Sequence, residues 1–251
     1  METEALLARV RKLLAMAESE ELGEAARASY TTKAADLIAQ YGIDRALVEE
    51  KNEERAAAAD LRLDVDAPYA AAKLELLATV ATSLGCRVIK LPKRPGSGAT
   101  DYVAHLFGMT PDLHRTQILY TSLLVQQAYG LAAARVPRGE NTRSYRRSWM
   151  IGFAAAVGTR LRAAEARAHD EAAHRETETA TSVALVLASR ESRVTALVNA
   201  AYPKLRTPRP TPSTGSGAGA GWNAGQRADL GTKRVGAARR QLLTARKSNS
   251  G

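Results

Sequence analysis

The sequence predicts an α+β protein: a helical N-terminal module, then a small, mainly antiparallel sheet packed with long helices, then a flexible basic tail. Three observations lead there. Apolar residues recur at the helical period over residues 1–59, shift towards a period of two after Asp60, and return to the helical period beyond Thr110. From Pro203 the composition turns to Pro, Thr, Ser and Gly. The charge is also uneven, because residues 203–251 carry ten basic side chains against one acid in a chain whose formal net charge is +10.

The 251 residues are 45% hydrophobic and 25% charged, which suits globular structure, whereas aromatics reach only 5%. The interior must therefore be built from Leu, Val, Ile and Ala. No apolar run approaches the ~18 residues of a membrane span, and the N-terminus lacks a basic, apolar, small-residue leader pattern. These features argue against membrane insertion and secretion, and a cytoplasmic location is expected. The single cysteine, Cys86, rules out an internal disulfide framework or a cysteine-built zinc site.

In chain order, Leu6, Val10, Leu13, Leu14 and Ala17 predict an amphipathic helix over residues 3–19. Ala26, Tyr30, Ala34, Leu37, Ile38 and Tyr41 predict a second, stopped by Gly42 in the left-handed position. Asp44 is placed to cap a third that runs through the Ala-rich stretch to Asp60. These make a helical module over residues 1–59. An α+β domain over 60–202 follows.

Leu61, Leu63 and Val65 alternate with charged residues as in a half-buried strand. Residues 69–84 return to helix and close at Gly85. Cys86–Leu91 and Asp101–Phe107 read as strands of a long hairpin whose connection, Pro92–Thr100, is basic and Gly-rich. Thr110, Pro111 and Asp112 form a helix start, with the Thr110 hydroxyl as the cap. That helix must end before Pro137, and a second long one is expected over residues 144–169, with Trp149, Phe153, Val157 and Leu161 on one stripe. Val183–Leu187 is a candidate strand and Ser192–Ala201 a short helix. A flexible linker is expected over residues 203–221, open to proteolysis, and a basic tail over 222–251, helical if docked but weakened by Gly225, Gly231 and Gly236.

The stretch Val10-Arg11-Lys12-Leu13-Leu14-Ala15-Met16-Ala17-Glu18-Ser19, with Glu24-Ala25-Ala26 and Ala34 to Ile43 ending in Tyr-Gly-Ile, resembles the domain-of-unknown-function 2786 family over residues 3–44. The remainder resembles the uncharacterised domain that commonly follows it, at Leu106-Phe107-Gly108, Ser144 to Trp149, Gly152-Phe153 and Ala224 to Gly231. The resemblance implies an intracellular protein of high-GC bacteria or their phages. It brings no established activity, so no catalytic residue is transferred.

Among chemistry-bearing residues, His169 and His174 resemble a zincin pair in part, but they lie five apart, about 140° around a helix, rather than four. His105 on a strand and His114 in a first helical turn are expected in core or capping contacts. The Gly-rich stretches Pro95–Thr100 and Gly217–Gly221 lack the Gly-Lys-Ser/Thr ending of a phosphate loop and read as loops. No cofactor motif is present, and Cys86 reads as a small buried hydrophobe.

Arg146 and Arg160 fall within the apolar arc of the long helix, where they must snorkel or pair with a carboxylate such as Asp101 or Asp112. Alternatively, Arg143, Arg146 and Arg147 form the mouth of an anion site. Arg227, Lys233, Arg234, Arg239 and Arg240 in the tail suit phosphate neutralisation, with Trp222 available to stack. The leading expectation is a non-enzymatic nucleic-acid-associated accessory protein. The alternatives are a metal-dependent hydrolase using His169 and His174, and an adaptor whose acidic N-terminal helices dock a protein partner.

Overall fold

The structure, a computed structural model, describes residues 57–93, 101–174, 183–205 and 214–230, together with positions 12, 13, 16 and 30. Apart from those four positions, the expected N-terminal helices lie outside the described residues, as do residues 94–100 of the hairpin connection and the tail cations Lys233, Arg234, Arg239 and Arg240.

Strand β1 spans Ala58–Val65, with Leu63 and Val65 buried and Asp64 exposed between them. Ala58–Asp60, expected as the end of a third helix, are therefore strand. Ala58, Ala59 and Asp60 pair with Met109, Gly108 and Phe107, and this pairing overrides the helical propensity of an Ala-rich segment. Helix α1 spans Ala70–Ser83 and stops at Leu84, after which Gly85 adopts φ 75°. That conformation suits glycine.

Strands β2, Arg87–Pro92, and β3, Tyr102–Met109, form the expected antiparallel hairpin. The sheet order is β1-β3-β2, so β3 is central. It runs straight into α2, Thr110–Ala132, with Pro111 and Asp112 in the first turn. The Thr110 hydroxyl does not cap that helix. It donates to the carbonyl of Ala57 at 3.0 Å, beside the Thr110 N–H at 2.9 Å, and so ties the start of α2 to the start of β1.

Helix α3 covers Thr142–His174, and α4 covers Val183–Ala201. The strand expected at Val183–Leu187 is thus the first part of a helix, since a short apolar run reads alike in both states. A last helix, α5, spans Ala218–Arg227.

Alternation along β3 divides the core in two. On one face, Ala104 and Leu106 join Leu63 and Val65, with Leu77 and Val80 of α1, Tyr120 and Leu124 of α2, and Trp149, Phe153 and Val157 of α3. On the other, Phe107 and Met109 are covered by Val194 and Val198 of α4. Full burial of each large apolar side chain contributes about 1.5–3 kcal/mol. Helix α3 comes so near α1 that a Cβ on Gly158 would lie 2.4 Å from Cγ2 of Thr79.

Candidate nucleic-acid interface

Residues 214–221, read from composition as part of a linker, are packed against the body. Gly215 lies against the Ser144 carbonyl, Gly217 against Tyr145, Gly221 against Trp149 and Gly225 against Phe153. The matched order shows that α5 runs parallel to α3. A Cβ on Gly221 would sit 1.8 Å from the Trp149 oxygen, and one on Gly152 would sit 2.0 Å from the Ala218 oxygen. Only hydrogens fit between these backbones. The glycines that weaken an isolated helix by about 1 kcal/mol each are what allow this one to dock.

Polar contacts fasten both ends of the segment. Glu140 accepts the Ser216 N–H at 2.7 Å on one carboxylate oxygen and the Ser216 hydroxyl at 2.6 Å on the other. These bonds hold the Glu140 carboxyl below its usual range. Gly217 N–H donates to Oγ of Ser148 at 2.9 Å. At the far end, one guanidinium nitrogen of Arg160 donates to the carbonyls of Gly225 at 2.8 Å and Ala228 at 2.6 Å. The cation thus meets the negative end of α5. Gln126 of α2 closes the same end, exchanging two hydrogen bonds with the backbone of Asp229.

Arg160 therefore pairs with neither acid proposed from sequence. Asp101 instead accepts the Ala67 N–H at 2.8 Å, and Asp112 faces Arg190 at 3.7 Å. Burial is the first cause that lifts the Asp112 carboxyl above its usual range, with the attraction of Arg190 opposing it.

Arg143, Arg146 and Arg147 occupy the first two turns of α3, Arg143 exposed and the other two half-buried. Arg135 and Arg138, both exposed, join them from the connection after α2, which turns at Gly139 with φ 81°. Glu140 is the one acid in the sequence from 133 to 149, and it is engaged with Ser216. Helix α5 begins alongside α3 and not level with its start, Gly217 meeting Tyr145 and Ala218 meeting Gly152, so the positive end nearest this arginine corner is that of α3. Arg227 is not part of it, lying at the C-terminal end of α5 near Arg160. From Tyr145 to Arg160 the helix advances about 22 Å at 1.5 Å per residue.

The backbone of α3 is helical through His169 and His174, whose side chains lie outside the described residues. Among the described residues no group of three or more His, Cys, Asp or Glu is gathered to hold a metal ion. No described helix is long and apolar enough to cross a membrane. Cys86 is buried, 3.7 Å from the Thr116 hydroxyl, and burial pushes its thiol up to about 11.

The residue whose full setting was invisible in the sequence is His105. It is buried on β3, with Nε2 2.8 Å from Asp60 of β1 and Nδ1 2.7 Å from the hydroxyl of Tyr202 at the end of α4. A carboxylate can only accept and a phenol can donate, so a neutral ring protonated on Nε2 satisfies both contacts. Its ring lies 4.3 Å from that of Phe107, and Tyr202 meets both rings edge-on. The set secures α4 to the sheet.

No curated protein and no solved structure is similar to the chain. The family described as "Protein of unknown function (DUF2786)" matches residues 5–45. Ahead of the α+β domain, then, residues 5–45 of this chain resemble the DUF2786 family.

Proposed function

We propose that the protein is a cytoplasmic, non-enzymatic, nucleic-acid-associated accessory protein whose folded body contributes an anion-binding corner. The observation that supports this reading is the placement of Arg135, Arg138, Arg143, Arg146 and Arg147 within residues 135–147, around the start of α3, where Glu140 is the one acid. Arginine suits phosphate because its planar fork offers several donors and keeps its charge. The N-terminus of α3 adds to the positive potential there. The tail beyond Leu230 supplies six more basic residues and no acid.

Contacts of this kind neutralise phosphate without reading sequence, so the reading implies weak, salt-sensitive and largely sequence-independent association. Mobility-shift titration of a duplex at low salt tests it, with the full chain, a chain ending at Leu230, and a variant with Arg143, Arg146 and Arg147 changed to Ala. Binding should weaken in each altered chain. Undiminished binding in the triple variant would remove the corner from the account.

A further inference from the structure

Trp222 is placed for a more specific task than charge neutralisation. The chain has two tryptophans, and the fold treats them in opposite ways. Trp149 is buried, stacked on Phe153 at 5.6 Å with the rings 15° apart. Trp222 is 39% exposed. It follows Gly221, which is pressed against α3, so it projects about 100° around α5 from the docked side. Gly219, Asn223, Gln226 and Arg227 share the exposed surface, and α5 contains no acid.

Both approaches to this surface are cationic. The arginine corner lies towards the N-terminal end of α5, while Arg227 lies at the other. A polyanion touching both ends would run along the exposed side of α5, which carries the indole. The helix is fixed to the body by Glu140, Ser148, Arg160 and Gln126, so the indole is held in position before any ligand arrives, and little ordering is needed on binding.

We propose that the outer face of α5 binds single-stranded nucleic acid, with a base stacked on Trp222. The proposal rests on the nucleic-acid reading above and goes beyond it in naming the form of the ligand. A duplex hides its base faces within its stack, whereas an unpaired base of any identity offers a face to an aromatic ring. Asn223 and Gln226 are neutral and do not repel the phosphates, which the flanking cations attract.

The test uses the full chain with oligo(dT) and with a duplex of equal length, following tryptophan emission. Oligo(dT) should quench the exposed indole while the duplex leaves it nearly unchanged, and Trp222→Phe should abolish the quenching yet keep affinity within a few-fold. Trp222→Ala should weaken oligo(dT) binding about tenfold, with duplex binding and the salt slope unaltered. If both probes bind with salt sensitivity and Trp222→Ala changes neither, the stacking site is overturned while the nucleic-acid reading stands. If neither probe binds at low salt, both fall. Self-association that depends on Trp222, without quenching by oligo(dT), would also overturn the proposal and make a second copy the occupant.

Discussion

A Cβ on Gly221 would lie 1.8 Å from the carbonyl oxygen of Trp149, so this pair sets the distance between α5 and α3. The backbone has no flexible side-chain end to move aside. Gly221→Ala should therefore separate the helices, costing about 1–3 kcal/mol as overpacking does. Amide exchange should quicken over residues 218–227, with little change in β1, β2 and β3. Unchanged protection in α5 would show that the close approach is not needed.

Arg160 closes the other end of the same contact through Gly225 and Ala228. Arg160→Met keeps much of the apolar stem and removes the charged donor. The expected loss is about 1.5–3 kcal/mol, the range for hydrogen bonds to charged groups, measured by urea unfolding. Combined with Gly221→Ala it should cost less than the sum, because once α5 has lifted away the guanidinium no longer meets its carbonyls.

The Glu140 carboxyl is held below its usual range by the hydroxyl and then the N–H of Ser216. A lowered acid contributes stability that is present above its unfolded-state value and is lost as pH falls through the folded one. Protection of the Ser216 and Gly217 amides, relative to the intrinsic exchange rate at each pH, should thus fall on acidification below about pH 4.5, the ordinary glutamate region. Glu140→Gln should show the lower protection already at neutral pH and a flatter acid dependence.

Cys86 has its thiol raised to about 11 by burial. At pH 8 it is almost wholly protonated as well as enclosed, so iodoacetamide should modify the folded protein slowly and the urea-unfolded protein readily. Rapid labelling of the folded chain would contradict its placement beside Thr116 and Gly108.

His105→Ala should leave Asp60 and Tyr202 without their shared partner and open a gap beside Phe107. A cost of about 2–4 kcal/mol is expected from the lost bonds and contacts. The exposure should centre on α4, read as faster exchange near Val194 and Val198.

The hairpin of β2 and β3, the start of α2 and the apolar stripe of α3 were legible because each signal is local: alternation, a proline in the first turn, a recurring apolar face. The α5 contact was written in the sequence too, as glycines at 217, 221 and 225, four apart. Composition concealed it, since a Gly-rich stretch reads as flexible until a backbone is found for it to touch. That backbone carries Gly152, far away in the chain. The same distance hid the tie between His105 and Tyr202, 97 residues apart. Arg160 looked like half of an ion pair because sequence shows charges, whereas its acceptors are main-chain carbonyls, which every residue has.

The central claim, that the arginine corner meets phosphate, is tested most directly by the slope of log affinity against log salt for duplex DNA. Each phosphate contact on B-DNA contributes about 0.9 to that slope. Changing Arg143, Arg146 and Arg147 to Ala should reduce it by up to about 2.7. An identical slope in the wild-type and triple-variant proteins, or no binding by either at low salt, would contradict the account.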